Sequence, residues 1–308
     1  MDSINPSAHP RRQYTEQKGI QDMRSLDDPE FDGVWESLIL TDGLKDRLLA
    51  QAVLNFTART RLQQVFLPMH GIILLAGLPG TGKTSLARGL ASRTAASLGS
   101  RLTFLEVDPH ALASNALGRS QQAVTHLLGS VIGEQASLGP CIVLLDEVES
   151  LAADRRKMSL DANPVDVHRA TDAVLTQLDQ LAASNTQLLF IATSNFPGAI
   201  DEAFLSRVDL VVTVELPTAD ACRAILLDTL ARIGRVYPAV ANLQSDPLIA
   251  KAAEVAIGLD GRRIRKAVPS ALAHSKQIAM NPELLTPQAV LAAVEQAQTE
   301  HAVREVRP

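Results

Sequence analysis

Short apolar segments recur along the chain, and each has the length of a β-strand. Four of them are continuously hydrophobic: GIILLAG at 71–77, RLTFLEV at 101–107, CIVLLDE at 141–147 and QLLFIATSN at 187–195. A fifth, LVVTVEL at 210–216, follows. Continuous rather than alternating hydrophobicity is typical of strands that are buried on both faces of a sheet. The pattern therefore predicts a buried sheet of five strands.

Helical patterns separate these segments. Apolar residues recur at helical spacing over 86–98 and again over 174–181. Strands that alternate with helices favour a parallel sheet with right-handed crossovers, because a parallel connection has to pass over one face of the sheet. The sequence therefore predicts an α/β fold, with a parallel five-stranded sheet flanked by helices, over residues 30–217.

After about residue 217 the strand signals stop and helical patterns continue to the C-terminus. In TADACRAILLDTLARIG, at 218–234, Thr218 stands where a helix N-cap is expected and the apolar residues follow at helical spacing. Pro269 falls inside a later helical pattern, so that helix is expected to kink there or to begin late. Residues 218–308 are therefore predicted to form a small all-helical domain.

The N-terminal segment and the composition narrow the class of protein. Residues 1–29 are polar, lack hydrophobic periodicity and contain three prolines, so they are predicted to be a flexible arm. The sequence has no signal-peptide core and no run of about 20 apolar residues. Its net charge of −5 and its few aromatic residues give no support for extensive nucleic-acid binding. A cytoplasmic protein with no membrane partner and no nucleic-acid partner is expected.

A phosphate-binding motif follows the first apolar segment. GLPGTGKT at 77–84 fits G-x-x-x-x-G-K-[ST], and it lies between a predicted strand and a predicted helix, as this motif requires. Its glycines allow backbone N–H groups to wrap a phosphate at a helix N-terminus. Lys83 would neutralise the β- and γ-phosphates of ATP, and Thr84 would bind Mg²⁺. The alternative is a glycine-rich turn with a chance lysine, which the flanking elements disfavour.

Polar residues end two other predicted strands. Asp146 and Glu147 close CIVLLDE, at the carboxyl end where open α/β sheets bind ligands. Asp146 would hold Mg²⁺, and Glu147 would orient and deprotonate a water molecule, which favours hydrolysis over transfer to another acceptor. Asn195, after FIATS, could sense the γ-phosphate and hold the attacking water. A solvated acidic loop is the alternative for DEVES at 146–150.

Two arginines outside these strands are further candidates. Arg207 lies among acidic residues in DEAFLSRVDL at 201–210. It either forms a local surface pair with Asp209 or completes the nucleotide site of another subunit. In GLDGRRIRK at 258–266, Arg262 follows a glycine at a predicted helix start and could reach the phosphates. A solvated basic helix end is the alternative for the other three basic residues of this segment.

Seven segments carry a resemblance to a known family: EFDGVWESLI (30–39), LPGTGKTSL (78–86), LLDEVESL (144–151), DAVLTQLDQL (172–181), TSN (193–195), DEAFLSRVD (201–209) and GLDGRRIRK (258–266). They resemble the AAA+ ATPases and, within them, the pachytene-checkpoint family of HORMA-domain remodellers. VWESL and VLTQLDQ are not shared by AAA+ proteins at large. The resemblance runs from about residue 30 to the C-terminal helices, with 235–257 matching poorly.

The resemblance implies a P-loop AAA+ domain followed by a helical lid, with ATP or ADP and Mg²⁺ as cofactors. The nucleotide-binding residues that it implies are Trp35, Glu36, Ser37 and Leu38 near the adenine and Pro79, Gly80, Thr81, Gly82, Lys83, Thr84 and Ser85 around the phosphates. It also implies Walker B residues at Asp146 and Glu147, sensor 1 at Asn195, an arginine finger at Arg207 and sensor 2 at Arg262.

The same resemblance implies a homo-hexameric ring that pulls a terminal segment of its substrate into a central pore. Such a ring converts HORMA domains from a closed, partner-bound state to an open or unfolded one. The first pore loop is expected at SNALGRS, 114–120, with Ala116 and Leu117 at the family's aromatic–hydrophobic pair. Each subunit is expected to hold the substrate more weakly there, because the aromatic residue is missing, although Leu117 could still make an apolar contact. An ordinary surface loop is the alternative for this stretch.

The short segment before the ATPase core is similar to that of the bacterial members of the family. Eukaryotic members carry a folded N-terminal domain, whereas about 30 polar residues precede the core here, so recruitment through an adaptor is not expected. The bacterial members accompany HORMA proteins and cyclic-nucleotide synthases in anti-phage signalling operons. The implied role is to disassemble the HORMA–synthase complex and so to restrain the signal. The alternatives are a nucleic-acid-directed AAA+ protein, such as a helicase loader, and a nucleotide-gated scaffold with negligible turnover.

Overall fold

A computed structural model describes residues 19–26, 31–40, 43–62, 66, 68–108, 119–153 and 164–305. The backbone contacts divide the chain into two compact units. The first unit holds the described residues up to Phe31, with Leu49–Leu75 and Leu90–Val212. The second holds Asp32–Leu48, Ala76–Gly89 and the residues from Thr213 onwards. The phosphate-binding motif is thus grouped with the helical C-terminal part, and the domain bounds 30–217 and 218–308 stay predictions.

The sheet contains the five predicted strands and one more, in the order β1-β3-β4-β5-β2-β6. The predicted α/β class is confirmed. β4 pairs in parallel with β3 and with β5, in continuous register on both sides. The strands are β1 (Ile20–Ser25), β2 (Ile72–Ala76), β3 (Thr103–Val107), β4 (Cys141–Leu145), β5 (Leu188–Ser194) and β6 (Leu210–Thr213).

The additional strand, β1, corrects two expectations. It lies within the segment that is predicted to be a flexible arm, and it pairs antiparallel with β3, so the sheet has six strands and is not entirely parallel. Its sequence, IQDMRS, is polar and only partly buried, because an edge strand has one neighbour and one face near solvent. Arg24 lies over the Phe31 ring, 4.7 Å from its centroid, and so adds a contact beyond the backbone ladder.

The core of the first unit explains why its central strands are continuously apolar. Every residue of β2, β4 and β5 is buried. Helices cover this sheet with apolar residues such as Leu128, Val174 and Leu178. Between residues 119 and 205 the helices are α4 (Arg119–Thr125), a π-helix (His126–Ile132), α5 (Gly133–Leu138), α6 (Pro164–Ser184) and α7 (Glu202–Leu205). Two earlier helices, α2 (Leu44–Thr57) and α3 (Lys83–Leu98), have residues in both units.

The second unit has its own apolar core, which confirms helical packing after residue 217. Leu226, Leu230, Ile264 and Val290 are fully buried in it. Thr218 caps its first long helix by accepting a hydrogen bond from the Ala221 N–H at 3.3 Å. The helices are α1 (Asp32–Ser37), α8 (Ala219–Gly234), α9 (Pro238–Asn242), α10 (Pro247–Val255), α11 (Gly261–Leu272), α12 (Lys276–Met280) and α13 (Pro287–Glu305).

Helix α11 contains Pro269 and does not begin late. It begins at Gly261 because Asp260 caps it, accepting a hydrogen bond from the Arg263 N–H at 2.9 Å. Among the helices in the described ranges, none has both the length and the apolar character that a membrane crossing requires.

Candidate functional site

The phosphate-binding motif forms a tight loop between β2 and α3, within the second unit. Gly80 and Gly82 have φ angles of 84° and 96°, a left-handed backbone that favours glycine. A Cβ atom at Gly80 would lie 2.5 Å from the carboxylate of Asp260, so there is no room for a larger residue. The phosphate-binding loop and the start of α11, two segments in which site residues are predicted, are therefore close together here.

Lys83, the first residue of α3, is turned into this loop. Its side chain is buried, and its Nζ atom donates hydrogen bonds to the carbonyl oxygens of Gly77 and Leu78, each at 2.8 Å. A buried ammonium needs such partners, because an unpaired one would lose its hydration without compensation. These carbonyl oxygens hold the Lys83 ammonium group at the N-terminus of α3. Phosphate oxygens of a ligand can replace them there as hydrogen-bond acceptors.

A cavity of about 540 Å³ adjoins the loop and lies wholly among residues of the second unit. Its volume is in the range of small-ligand sites. Seven predicted nucleotide-binding residues line it: Ser37, Leu38, Gly80, Thr81, Gly82, Ser85 and Arg262. Five other predicted residues are not in its lining: Trp35, Glu36, Pro79, Lys83 and Thr84. The structure therefore brings the predicted adenine segment, part of the loop and Arg262 to one cavity.

Trp35 lies just before the segment that lines this cavity. Its side chain is buried and packs against Gly89 of α3, where an added Cβ would approach its atoms to about 3.0–3.2 Å. The Nζ atom of Lys45 lies 5.3 Å from the Trp35 ring centroid and donates a hydrogen bond to the Trp35 carbonyl oxygen at 2.7 Å. Trp35 thus fixes the path of the segment that carries Ser37 and Leu38.

Arg265 holds the other end of the same segment, a role that sequence reasoning missed. Its Nη2 atom donates to the Ser37 carbonyl oxygen at 2.5 Å, and its Nη1 atom donates to Asp228 at 2.9 Å. Arg265 also lines the cavity. A solvated helix end is therefore wrong for Arg265, and also for Arg263, which pairs with Asp260 at 3.2 Å. The helical spacing of Arg262 and Arg265 was the signal available in the sequence, since residues three apart share one helix face.

The acidic strand end forms a second cluster, within the first unit. The hydroxyl of Thr193, which is buried at the end of β5, donates a short hydrogen bond to Asp146 Oδ1. The hydroxyl oxygen of Thr193 itself accepts a hydrogen bond from the Glu147 N–H at 3.1 Å. Thr193 therefore fixes the carboxylate of Asp146 and the backbone of Glu147 at once. A solvated acidic loop, the alternative for DEVES, is wrong for these residues.

Glu147 has an unusual backbone. Its φ and ψ angles are 51° and 54°, and it is the only non-glycine residue with positive φ in the described parts of the chain. A left-handed conformation costs about 1–2 kcal/mol for such a residue. Conformations of this kind are concentrated at functional sites, where surrounding contacts maintain them. Here the Asn195 Nδ2 atom donates to Glu147 Oε1 at 3.0 Å.

Glu149 is a third carboxylate in this cluster and was not predicted as a site residue. Its Oε1 atom accepts a hydrogen bond from the Asn195 N–H at 3.0 Å. Its Oε2 atom is buried and has no hydrogen-bond partner among the described residues. Glu149 thus holds the backbone of Asn195, whose side chain in turn holds Glu147. Across the part of the chain that the structure describes, no cluster of three or more His, Cys, Asp or Glu residues could hold a metal ion by itself.

Arg207 is paired, but not with Asp209, the partner in the alternative interpretation. Its Nε and Nη2 atoms donate to Asp179 Oδ1 and Oδ2 at 2.6 and 2.7 Å. Asp209 instead accepts hydrogen bonds from the N–H groups of three residues that precede and begin β2, His70 at 2.9 Å, Gly71 at 2.6 Å and Ile72 at 3.0 Å. A local Arg207–Asp209 pair is therefore wrong, because the Asp209 carboxylate is engaged by the backbone.

The predicted pore-loop residues, Ala116 and Leu117, lie outside the described residues. Their role stays a prediction.

A family model described as "ATPase family associated with various cellular activities (AAA)" matches residues 73–216. The chain is 51% identical to CD-NTase-associated protein 6 of Pseudomonas aeruginosa over 291 residues, which cover 94% of this chain and 96% of that protein. It is 36% identical to the pachytene checkpoint protein 2 homolog of Oryza sativa subsp. indica, over 88% of this chain and 64% of that protein.

The fold is also found in a solved assembly. A chain in the structure of the E. coli MS115-1 HORMA:CdnC:Trip13 complex superposes with a TM-score of 0.76, over 91% of this chain and 95% of that one. The two sequences are 17% identical, so this likeness shows the shared fold alone.

Proposed function

The chain belongs to the AAA family of ATPases, as a homologue of CD-NTase-associated protein 6 and of pachytene checkpoint protein 2, and on this basis we propose that it hydrolyses ATP to remodel HORMA-domain proteins. The observation that carries the hydrolytic part is the constrained acidic strand end. Asn195, Thr193 and Glu149 together hold Glu147 in a left-handed conformation beside Asp146. Because its direction is fixed by these contacts, the Glu147 carboxylate is oriented to accept a proton from a water molecule.

In the proposed reaction, Glu147 accepts a proton from water as the water oxygen bonds to the γ-phosphorus of ATP. The bond from that phosphorus to the β–γ bridging oxygen breaks, and ADP and phosphate are released. Lys83 exchanges its loop carbonyl partners for β- and γ-phosphate oxygens, so that its positive charge lies beside the phosphoryl group that is transferred. Asn195 keeps the Glu147 carboxylate aimed at the water.

Mg²⁺ fits the donor set of this chain. It prefers oxygen ligands and usually keeps several waters while binding one or two protein groups and the substrate phosphates. We assign the Thr84 hydroxyl and the Asp146 carboxylate as the groups that would bind Mg²⁺, and the short hydrogen bond from Thr193 orients Asp146. The bound ion would neutralise charge on the phosphate oxygens.

We assign Arg207 to the nucleotide of a neighbouring subunit in a homo-hexameric ring, and Arg262 to the nucleotide in its own subunit. Arg262 lines the cavity beside Ser37, Leu38 and the phosphate loop, which supports a role in sensing the bound nucleotide. Arg207 is grouped in the first unit with its partner Asp179. An arginine that stabilises transition-state charge raises turnover by several orders of magnitude in related phosphoryl transfers.

The substrate class follows from the relatives. One relative is named for its association with a CD-NTase, and a chain of the same fold is part of an assembly with a HORMA protein and CdnC. We propose a HORMA-domain protein as the substrate of this chain, with a cyclic-nucleotide synthase as the partner that the HORMA protein releases. Disassembly of that complex would restrain an anti-phage signal. Ala116 and Leu117 would contact the substrate segment in the pore.

The experiment that tests this function traps the substrate. The Glu147→Gln variant is incubated with ATP and lysate from its own organism, isolated, and analysed for bound protein and nucleic acid. A HORMA-domain protein retained with ATP but not with ADP is the expected result. The matched control is the Lys83→Ala/Glu147→Gln double variant, which cannot hold the phosphates and should retain nothing. Retention of DNA without a HORMA protein would overturn the substrate assignment in favour of a nucleic-acid-directed ATPase.

A further inference from the structure

The guanidinium of Arg207 is held by an unusually complete set of contacts for a partly exposed side chain. Asp179 accepts two parallel hydrogen bonds from it, at 2.6 and 2.7 Å. The carbonyl oxygen of Ala203, one turn earlier in the chain, accepts a third from Nη1 at 2.5 Å. A guanidinium has five N–H donors, so two remain after these three contacts. The group is therefore oriented and still able to bind an anion.

The pKa shifts of Asp179 and Arg207 agree with this hydrogen-bonded arrangement. The hydrogen bond from Arg207 holds the pKa of Asp179 below its usual range, and the hydrogen bond to Asp179 raises the pKa of Arg207. His70 adds a weaker contact, with Nε2 at 3.8 Å from Asp179 Oδ1. The carboxylate side chain is 47% exposed, so the pair contributes little to folding stability. The two parallel hydrogen bonds nevertheless fix the direction of the Arg207 guanidinium, which an ion pair that only stabilised the fold weakly would not need to do.

Asp179 belongs to a sequence motif that has no role in the nucleotide site described above. It lies in VLTQLDQ, near the C-terminal end of α6, and is separated from Arg207 by 28 positions in the sequence. Arg207 follows α7, a helix of four residues that could not by itself orient a long side chain. The carboxylate of α6 therefore supplies the rigid reference from which the guanidinium projects.

We propose that Asp179 is a positioning residue for ATP hydrolysis: it fixes the Arg207 guanidinium so that its remaining N–H groups reach the γ-phosphoryl group on the neighbouring subunit. This inference rests on the proposed function, in which Arg207 acts between subunits. In this proposal Asp179 acts through Arg207, to which it is joined by two hydrogen bonds. Pre-orientation matters because a displacement of about 1 Å in a catalytic group can cost about 100-fold in rate.

The test uses rings in which every productive site depends on a known arginine. Full-length Lys83→Ala subunits, which have Arg207 but cannot bind phosphates, are mixed with Arg207→Ala subunits, which bind ATP but have no arginine to donate. Turnover in the mixture then requires Arg207 of one subunit and the nucleotide of the other. An inactive mixture at every ratio would overturn the inter-subunit role of Arg207 and the present inference with it.

Asp179→Asn is then placed on one partner at a time. On the Lys83→Ala subunit it should lower kcat of the mixture about 10- to 100-fold with little change in KM for ATP, because the arginine is donated from there. On the Arg207→Ala subunit it should change nothing, since that subunit has no guanidinium to orient. Equal losses from both placements would reveal a general structural effect and overturn the inference. A rise in turnover would also overturn it, by showing that Asp179 withholds Arg207.

Two further variants make the comparison specific. Asp172→Asn removes the same charge two turns earlier on α6 and should leave the mixture unchanged. Asp179→Glu keeps the carboxylate and should restore part of the lost kcat when placed on the Lys83→Ala subunit. If Asp172→Asn lowers kcat as much as Asp179→Asn does, the effect is one of helix charge and the proposed orientation is wrong.

Discussion

Asn195 Nδ2 donates a hydrogen bond to Glu147 Oε1 at 3.0 Å, which joins the ends of two adjacent strands. β4 and β5 pair in parallel, with Leu145 opposite Ala192, so the residues that follow both strands emerge at the same edge of the sheet. The contact therefore orients the Glu147 carboxylate at the edge where the two strands end.

Glu147→Gln should retain ATP and abolish turnover. Glutamine keeps the oxygen that accepts from Asn195, so the local geometry is preserved, but it cannot take a proton. We expect kcat to fall about 10²- to 10⁴-fold, the usual contribution of a general base. Phosphate release measures turnover, and a fluorescent ATP analogue measures binding. Normal hydrolysis by this variant would show that another group is the base.

Thr193→Val should weaken the acidic strand end without removing any charge. The change leaves the Glu147 N–H without its acceptor, which costs about 1–3 kcal/mol of unfolding free energy, and it frees the Asp146 carboxylate from its donor. We expect half-maximal ATPase activity to require about tenfold more Mg²⁺, since outer contacts of this kind orient metal ligands.

Thr193→Ser is the matched control, because it keeps the hydroxyl and removes only a methyl group. It should behave nearly as the unmodified chain does in Mg²⁺ titrations. If valine and serine at this position give the same Mg²⁺ dependence, the hydroxyl bridge is unimportant for metal binding.

Gly80→Ala should impair nucleotide binding because of crowding, and Gly43→Ala provides the comparison. Both glycines have left-handed backbones, with φ angles of 84° and 75°. An alanine Cβ at Gly80 would meet the Asp260 carboxylate at 2.5 Å, whereas one at Gly43 would meet nothing within 4 Å. The backbone cost of about 1–2 kcal/mol is thus shared, and the clash is not. Titration with a fluorescent ATP analogue should show a loss for Gly80→Ala alone, and equal affinities would refute the crowding argument.

Much of the fold could be predicted because its strands are buried on both faces. β2, β4 and β5 are continuous apolar runs, and polar residues such as Asp146 and Asn195 mark where two of them end. Signals of this kind lie within one short segment, so they can be identified without knowing which strand or helix packs against it. β1 could not be predicted, because an edge strand with a polar exterior has neither continuous nor alternating hydrophobicity.

The candidate site was predictable in its motifs but not in its supporting contacts. Lys83 and Glu147 are identified by short patterns, whereas the partners that hold them depend on the fold. Asp179 precedes Arg207 by 28 positions, and Arg265 follows its acceptor Ser37 by 228. In the sequence the nearest carboxylate to Arg207 is Asp209, so proximity along the chain suggested only the alternative pair, which is wrong.

Arg265→Ala should raise KM for ATP more than it lowers kcat. The substitution releases the Ser37 carbonyl from a hydrogen bond of 2.5 Å and loosens the segment that lines the nucleotide cavity, while the acidic strand end stays intact. Steady-state kinetics measure the split. Arg232→Ala is the matched control, because Arg232 pairs with the same carboxylate, Asp228, at 2.9 Å. A similar KM change in both variants would trace the effect to Asp228 rather than to Ser37.

Asp209→Asn should destabilise the first unit without affecting the orientation of Arg207. The carboxylate accepts from the N–H groups of His70, Gly71 and Ile72, and an amide would direct its own N–H groups at some of these donors. We expect a loss of about 2–3 kcal/mol in the free energy of unfolding, measured by urea denaturation. Asp179→Asn, at an exposed pair, should cost about 0.2–1 kcal/mol.

Double-mutant cycles separate the two carboxylates as partners of Arg207. Stability is measured for Arg207→Ala combined with Asp209→Asn, and for Arg207→Ala combined with Asp179→Asn. The first cycle should be additive within about 0.5 kcal/mol, because Asp209 contacts the backbone before β2, while the second should show a coupling. Coupling confined to the Asp209 cycle would restore the local pair and remove Asp179 as the group that orients Arg207. The expected pattern leaves Asp209 to anchor β2 and Asp179 to hold the arginine.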